Sequence, residues 1–347
     1  MQNLGIHPIL VMQKNINILA IESSCDETSA AIISDGKVLS NHIATQRVHE
    51  RFGGVVPELA SRAHMQNIIP VVEAAFADAG VQKNELTAVA FTQAPGLIGS
   101  LLVGSCFAKS FAQALNIPLI SVHHMQAHVL AHFIKEKPSF PFLCLTVSGG
   151  HTQIVLCKDY LDMEIIGETI DDAAGEAFDK VAKMLGLPYP GGPLVDKYAK
   201  EGDPHRFKFP LSEMKEYNYS FSGIKTSVLY FLQAEEKKDP GFKEKNIADI
   251  CASVQFTLVK MLLNKLEKAA KNLGITQIGI AGGVSANSGL RKSLIEMGQK
   301  NGWTVYIPPF EYCTDNAAMI GITGYYKYLK GEFADLSVTA SARATWA

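Results

Sequence analysis

Two histidines four positions apart, His124 and His128, have the spacing in this chain that most directly suggests chemistry. They follow a short apolar run at 119–122, and the segment 125–133 contains no glycine or proline and is predicted to be helical. Side chains four apart on a helix lie on the same side, so both imidazoles can bind one cation, with a carboxylate from elsewhere completing the shell. The alternative is a pair of solvated or hydrogen-bonded histidines near a helix start.

The spacing of the two histidines is also that of a metalloprotease motif, in which a glutamate directly after the first histidine acts as general base. Here that position is Met125. The pair therefore predicts a metal site and weakens a peptidase interpretation. Asp315, directly before a predicted helix at 317–330, is a candidate third ligand, or alternatively the N-cap of that helix. His132, one turn further along, is interpreted as structural.

The composition predicts a folded enzyme-sized protein without a strong charge signature. A chain of 347 residues makes roughly two domains, and 47% hydrophobic with 19% charged residues is ordinary for globular proteins. The net charge of −2 gives no global sign of nucleic-acid binding, although a local basic patch can suffice. Six scattered cysteines predict reduced thiols in a cytoplasmic protein. No apolar run reaches the ~18 residues of a membrane span, and no signal peptide is expected.

The two halves of the chain share one plan of strand, small-residue turn, strand, strand and then helices. The predicted strands lie at 15–22, 29–34 and 37–44 in the first half, and at 142–147, 153–157 and 164–167 in the second. We interpret this as a duplicated α/β domain that binds its ligand in the cleft between the copies. The predicted parts are an N-terminal extension (1–14), lobe I (15–140, with a C-terminal helical segment 316–347 packing back on it) and lobe II (141–315). Within them, Asp35-Gly36 is typical of a type I′ hairpin turn, 170–185 is predicted to be a helix, and the charged segment 235–245 is predicted to be a solvated linker.

Glycine-rich turns are more numerous than hairpins require. Turns at 149–150, 191–192 and 282–283, together with a loop at 96–99, would favour a nucleotide if several open toward one cleft. Neither a P-loop nor a G-x-G-x-x-G motif is present, which excludes those two nucleotide-binding classes.

Two carboxylates near these turns are candidates for chemistry. Glu27 stands in the polar turn 23–28, where it either forms the turn or has a catalytic or metal-water role. Asp179 either pairs with Lys180 at the surface or accepts hydrogen bonds from a ligand hydroxyl or amine.

Nine motifs together carry a resemblance to one family. They occupy 21–28, 53–62, 123–128, 147–152, 171–180, 189–193, 221–223, 282–287 and 313–316. From about 16 to 336 the chain resembles the Kae1/Qri7/TsaD family of tRNA threonylcarbamoyladenosine biosynthesis proteins. One departure is the C-terminal segment 341–347, where the family usually has a basic Arg-Pro-Arg-Trp sequence.

The resemblance implies a two-lobe actin/sugar-kinase/Hsp70-like (ASKHA) fold and an acyltransferase. The implied reaction moves a threonylcarbamoyl group from threonylcarbamoyl-AMP to N6 of the adenosine 3′-adjacent to the anticodon, in tRNAs that read codons beginning with A. Two alternatives remain beside this interpretation: a metallopeptidase, the family's older label, and a non-catalytic nucleotide-binding scaffold.

The resemblance also implies roles for individual residues. His124, His128 and Asp315 would hold one divalent metal, iron or alternatively zinc, and Glu27 is the candidate general base. The implied substrate-binding residues are Thr146, Val147, Ser148, Gly149, Gly150, Asp179, Gly192, Asp196 and Asn287. The implied partners are tRNA, a TsaB-like paralogue, a TsaE-like ATPase and a TsaC/Sua5-like enzyme that makes the donor. No membrane is expected.

Overall fold

Two five-stranded sheets with the same topology form the framework of the protein. The computed structural model describes residues 15–212 and 214–344; the predicted extension 1–14 lies outside the described residues. The first sheet contains β1 (Asn17–Glu22), β2 (Glu27–Ser34), β3 (Lys37–Thr45), β4 (Ala88–Ala94) and β5 (Leu119–His123). The second contains β6 (Phe142–Val147), β7 (Thr152–Cys157), β8 (Met163–Glu168), β9 (Gln277–Ala281) and β10 (Thr304–Tyr306).

The strand orders confirm the predicted duplication. The first sheet runs β3-β2-β1-β4-β5 and the second β8-β7-β6-β9-β10. In each sheet the first three strands along the chain form an antiparallel meander, and the last two lie parallel to the first. The predicted hairpin between β2 and β3 is also confirmed, because Asp35 and Gly36 have φ values of 47° and 75°, as a type I′ turn requires.

Nine helices in the described residues cover the sheets. They are α1 (Pro57–Ala79), α2 (Ile98–Leu115), α3 (His124–Leu130), α4 (Ala174–Met184), α5 (Gly192–Ala199), α6 (Ser222–Lys238), α7 (Phe242–Leu273), α8 (Ser288–Asn301) and α9 (Ala317–Lys330). On the first sheet, α1 and α2 share one apolar cluster with the strands, and α3 and α9 share another. A further cluster joins α3 and α9 to the second sheet. The histidine helix therefore lies between the two sheets.

Three helix boundaries differ from the sequence predictions. The helix predicted from 170 begins at Ala174, because Asp171 instead accepts hydrogen bonds from Ser220 and Ser222 at the start of α6. The charged segment 235–245 is not a linker, since its residues extend α6 and begin α7, with a break around Gly241 (φ 84°) and a kink in α7 at Asn246 (φ −118°). The C-terminal helix ends at Lys330, as predicted for the helix at 317–330, and the described residues 331–344 are not helical, so the helical segment predicted over 316–347 is too long. The helix packs against β1 and β2, while the lobe boundaries themselves stay predictions.

Two helices, α2 and α7, are long and apolar enough to cross a membrane by length and composition alone. Both are layers of the α/β lobes. Most of α7 is buried in the apolar core under the second sheet, and α2 packs on α1 and β4. The apolar residues of α7 therefore have an explanation within the fold.

A buried histidine makes the fold sensitive to acid. His132 is 3% exposed, and burial lowers its pKa to about 4, against the opposing effect of a hydrogen bond to the backbone of Ile280. Between pH 6.5 and 4 the unfolded chain binds a proton there that the folded chain does not, so stability falls as the pH falls through this window. In His132→Asn the free energy of unfolding should therefore fall less over this pH range, by up to about 3 kcal/mol. Urea unfolding of the chelator-treated parent and of His132→Asn at pH 7.5 and 4.5 measures this difference. An equal decrease in the free energy of unfolding of the two proteins would contradict the prediction.

Candidate active site

The carboxyl ends of several strands meet at the cleft between the two sheets. β1 ends at Glu22, β5 runs directly into α3 and its histidines, β6 ends before the glycine turn 148–150, and β9 ends before Gly282. Ligands of open α/β sheets bind at such strand ends. The chain thus brings together polar residues that are more than 100 positions apart.

His124, His128 and Asp315 form one compact group at this place. Asp315 Oδ1 lies 3.2 Å from His128 Nε2 and 3.4 Å from His124 Nε2. The three ligand atoms all lie within 4.8 Å of one another. The two imidazole rings are perpendicular, with centroids 4.7 Å apart, so both Nε2 atoms face the same carboxylate. The structure therefore brings the three predicted residues together.

The start of α9 explains how Asp315 reaches the histidines. Asn316, not Asp315, is the N-cap: its side chain accepts from the backbone of the first helical turn. The backbone N–H groups of Ala317 and Ala318 donate to Ser29 on β2 and Asn41 on β3. These two bonds attach the helix start to the first sheet. The carboxylate of Asp315 is thereby left free to face the histidines, and its N-cap alternative is wrong.

Glu22 holds His124, and sequence reasoning missed it. Glu22 is fully buried, and its Oε2 lies 3.1 Å from His124 Nδ1 and 2.6 Å from the Thr92 hydroxyl. Because a carboxylate accepts, Nδ1 carries a hydrogen, and Nε2 is the ring nitrogen that faces Asp315 and can bind a cation once it is deprotonated. The available signal was a carboxylate ending an otherwise apolar, wholly buried strand.

The group concentrates negative charge around two imidazoles. Burial opposes a charge on His124, but Asp315 and Glu22 outweigh it and raise the pKa of His124. Burial lowers the pKa of His128. Burial alone would raise the pKa of Asp315, but the two histidines hold it well below its usual range. An ionised carboxylate beside a histidine that stays neutral is the donor set that a divalent cation needs.

The distances fit a metal ion. Nitrogen and oxygen ligands at ~2.0–2.2 Å from a tetrahedral metal are about 3.4 Å apart. The observed nitrogen–oxygen separations of 3.2 and 3.4 Å match this spacing. The Glu22–His124 hydrogen bond is the supporting contact that metal-binding histidines usually make. His124, His128 and Asp315 would therefore hold the metal, leaving further coordination positions for substrate.

Glu22→Gln should weaken the metal site without removing a ligand. The amide keeps the size of the side chain but loses the charge that orients His124, so metal affinity should fall about tenfold or more. Titration with Fe²⁺ or Zn²⁺ against a competing chelator measures the affinity. Glu164→Gln, a change at an exposed carboxylate that pairs with Lys158, is the control. Equal affinities for Glu22→Gln and the parent would remove Glu22 from the site.

A cavity of about 1620 Å³ opens above the metal group. Its volume exceeds that of a typical pocket for one small ligand, so there is space for two reactants. Its wall includes the predicted residues Glu27, Ser148, Gly149, Gly150, Asp179, Gly192, Asp196 and Asn287. Thr146 and Val147 do not line it. Both are fully buried at the end of β6, where the Thr146 hydroxyl bonds to the Gln153 carbonyl. They support the glycine turn rather than contact the cavity.

The turn 148–150 points backbone groups at the cavity. Ser148 donates its backbone N–H to the His151 carbonyl, and its hydroxyl accepts from the His151 N–H. Among the described residues, the N–H groups of Gly149 and Gly150 have no hydrogen-bond acceptor. Glycines on neighbouring elements allow the close approach. A Cβ at Gly175 would lie 2.5 Å from the Ser148 carbonyl oxygen, and one at Gly282 (φ 84°) 2.5 Å from the Val147 carbonyl oxygen. The turn therefore offers two donors to an anion.

Other groups that were predicted to contact the ligand already form hydrogen bonds within the protein. Asp179 Oδ1 accepts from the N–H groups of Gly191 and Gly192 at 2.9 Å each, so those amides are occupied. Burial raises the pKa of Asp179 despite these bonds. Lys180 pairs with Asp172 and Glu176, so the predicted Asp179–Lys180 pair is wrong.

Asn287 and Asp196 together fix the start of α8. Asn287 accepts from the Leu290 N–H and donates to Gln255. Asp196 accepts from Ser288. Both side chains line the cavity while stabilising its wall.

Glu27 lies at the first residue of β2, on the cavity wall. Burial, followed by the negative charges of Asp315 and Asp26, raises the pKa of Glu27 to about 9. The carboxyl group is therefore protonated near neutral pH in the protein without a cation. A bound cation would offset the charge of Asp315 and favour the ionised form.

Comparisons with known proteins agree with this geometry. Residues 37–322 match the family described as "TsaD: tRNA N6-adenosine threonylcarbamoyltransferase". A protein of that name from Christiangramia forsetii is 65% identical, over 95% of this chain and 98% of its own length. Another from Cytophaga hutchinsonii is 59% identical, over 95% of this chain and 96% of its own length.

The chain belongs to the TsaD family. Its two-lobe ASKHA fold is also that of HypF, crystallised in a phosphate- and nucleotide-bound form. HypF is 16% identical with a TM-score of 0.62, over 91% of this chain and 47% of HypF. In this TsaD-family chain the described part of the atypical C-terminal segment, 341–344, contacts the end of β4 and the loop before α2. Gly96 donates its backbone N–H to the Ala342 carbonyl, and Arg343 lines the cavity.

Proposed function

We propose that this chain transfers the threonylcarbamoyl group of threonylcarbamoyl-AMP to N6 of an adenosine in tRNA. Identity to the TsaD relatives over nearly the whole chain carries this proposal. The metal group at the base of a cavity large enough for donor and acceptor supports it. The acceptor would be the adenosine 3′-adjacent to the anticodon in tRNAs reading codons that begin with A.

The two alternative functions fit the molecule less well. A peptidase of the His-Glu-x-x-His type would need a glutamate directly after His124, but that position is Met125, which is buried and apolar. A scaffold that only binds a nucleotide has no need of a buried His-His-Asp group with a supporting carboxylate.

The donor would lie between the glycine turn and the wall opposite. The N–H groups of Gly149 and Gly150 would bind its phosphate or the charge that develops during transfer. Asp179 has one oxygen committed to the Gly191–Gly192 turn, and its second oxygen would accept from a hydroxyl or amine of the ligand. Asp196 and Asn287 would keep α8 in place beside the nucleotide.

The transfer needs two aligned reactants rather than a covalent enzyme intermediate. N6 attacks the carbonyl carbon, the new N–C bond forms, the bond from that carbon to the phosphate oxygen breaks, and AMP leaves with its electron pair. N6 loses one proton, which we assign to ionised Glu27. Holding both reactants in the cavity supplies most of the acceleration, because it replaces an encounter in solution.

The metal held by His124, His128 and Asp315 would supply Lewis-acid polarisation. We propose iron, with zinc as the alternative, because imidazole and carboxylate ligands suit both.

The test of the proposed function is direct. Purified protein is incubated with threonylcarbamoyl-AMP, unmodified tRNA and its partner proteins, and the digested nucleosides are analysed by mass spectrometry. We expect threonylcarbamoyladenosine at one position in tRNAs that decode A-starting codons. Absence of this nucleoside, with release of amino acids from a peptide mixture, would favour the peptidase instead.

The outer face of α1 and α2 is apolar, which favours the binding of a protein partner there. Met65 and Ile69 on α1, and Ile98 and Leu102 on α2, are between 47% and 68% exposed. We propose that the TsaB-like paralogue binds here, since a paralogue with the same first-lobe plan would present two equivalent helices that pair with this face.

Met65→Glu with Ile69→Glu should weaken this association about tenfold or more, because it places two charges in an apolar interface. Calorimetric titration with the purified paralogue measures the change. Leu329→Glu, at a comparably exposed position on α9, is the control and should bind like the parent. Unchanged binding of the double variant would place the interface elsewhere.

The remaining partners are proposed from the family resemblance. They are a TsaE-like ATPase and the TsaC/Sua5-like enzyme that supplies the donor, and with tRNA they imply a cytoplasmic location.

A further inference from the structure

A buried histidine outside the metal group contacts the segment that carries Glu27. His64 lies on α1, is completely buried, and is not a metal ligand. Its Nε2 lies 2.9 Å from the carbonyl oxygen of Cys25, and its Nδ1 lies 2.8 Å from the hydroxyl of Thr28. One ring therefore bonds to both ends of the four-residue segment Cys25–Thr28.

The direction of these bonds is fixed by chemistry. A carbonyl oxygen only accepts, so His64 Nε2 carries the hydrogen and donates to Cys25. His64 Nδ1 then accepts from the Thr28 hydroxyl. Burial lowers the pKa of His64, which favours this neutral form. The ring acts as a bridge with one donor and one acceptor, which an aliphatic side chain of similar size cannot reproduce.

Helix α2 holds the same segment from the other side. The Ser100 hydroxyl donates to the Cys25 carbonyl at 3.2 Å, and the Leu97 N–H donates to the Ser24 carbonyl at 2.7 Å. Gly96 permits this approach, because a Cβ there would lie 2.5 Å from the Ser24 oxygen. The Cys25 carbonyl thus accepts from both helices, and the turn is fixed against α1 and α2.

Between the two ends of the bridge are Asp26 and Glu27, and both line the cavity. Glu27 would face the acceptor nitrogen in the transfer reaction. A shift of this segment of about 1 Å is enough to cost a large part of the rate of a positioned reaction. The metal ligands, by contrast, lie on α3 and before α9, and the hydrogen bonds of the His64 ring in the described residues go to Cys25 and Thr28 rather than to a metal ligand.

We propose that His64 is a positioning residue for the transfer reaction, which it serves by holding the Cys25–Thr28 segment, and with it Glu27, at the cavity wall. This inference rests on the proposed function. It also gives α1 and α2 a role beyond the partner face, because the helices that carry that face on their outer side hold the reactive segment on their inner side.

His64→Leu separates positioning from binding. We expect kcat to fall about tenfold to a hundredfold, while metal content and the Kd for a non-hydrolysable donor analogue stay at the parent's values. His64→Gln, which keeps one donor and one acceptor on a planar group, should recover a large part of kcat. His42→Leu, at a histidine that pairs with Asp78 on the surface, is the matched control and should keep the parent's kcat.

Two milder variants keep the test decisive if His64→Leu folds poorly. Thr28→Val removes the hydroxyl that bonds to His64, and Ser100→Ala removes the one that bonds to the Cys25 carbonyl. Each should lower kcat several-fold without changing metal content. Parental kcat in both variants, or in a folded His64→Leu protein, would overturn the proposal. A parent protein that transfers nothing would instead refute the proposed function, so the two failures are distinguishable.

Discussion

Asp315→Asn is expected to remove both the metal and the transfer activity while the protein stays folded. The amide is the same size, but it brings no charge and a weaker ligand to a site where Asp315 Oδ1 faces two imidazole nitrogens at 3.2 and 3.4 Å. Loss of several kcal/mol of stabilisation corresponds to a decrease in kcat of about 10³-fold. Metal content by mass spectrometry and product formation with saturating donor and tRNA measure the two effects.

The control for this variant is Asp335→Asn, a change at an exposed carboxylate beyond α9 that accepts hydrogen bonds from the nearby Ser337 and the local backbone. It should keep both metal and activity. Circular dichroism and thermal unfolding of Asp315→Asn test whether the fold survives, as the caps by Asn316, Ser29 and Asn41 predict. A variant that modifies tRNA at the parent's rate would show that Asp315 does not hold a required metal.

The sequence predicted the architecture because its signals are local. The apolar strand runs, the Asp35–Gly36 turn and the repeated strand plan each depend on residues close together in the chain. The His124/His128 pair is equally local, since helical spacing alone brings the two rings to one side. Spacing did not identify the third ligand: Asp315 was a candidate from its place before a helix, and the family motifs also assign it to this pair.

The sequence could not predict contacts that depend on the tertiary fold. Glu22 lies 102 positions from His124, and His64 lies 39 positions from Cys25, so no local pattern connects them. Both residues are fully buried polar groups, which need partners. That need indicates a contact but does not identify the partner. The helix predicted from 170 failed for a related reason, because Asp171 bonds to residues 49 and 51 positions later.

The role of Thr146 and Val147 shows the limit of carrying motif residues over as a block. The stretch 146–150 matches the family as one unit, but strand geometry divides it. Its first two residues complete β6 inside the core, and only the turn after the strand reaches the cavity. Alternation and burial, rather than motif membership, decide which backbone groups can meet a ligand.

Glu27→Gln is expected to lower kcat about a hundredfold and to leave donor affinity and metal content unchanged. The amide keeps the size of the side chain at the start of β2 but cannot take the proton that N6 loses, and a positioned general base contributes at least this much. The residues assigned to the donor lie on the opposite lobe, at the turn 148–150 and around Asp179, so donor binding should not depend on Glu27.

Rapid-quench measurement of a single turnover, with donor and tRNA both bound, separates this chemical step from product release. Glu164→Gln is the matched control, because that carboxylate pairs with Lys158 at the surface away from the cavity.

Comparison with His64→Leu adds a further constraint. If His64 acts through Glu27, the double variant should be about as slow as Glu27→Gln alone, since a segment without its carboxylate gains little from being held in place. Single-turnover rates for Glu27→Gln equal to the parent's would assign the proton to another acceptor.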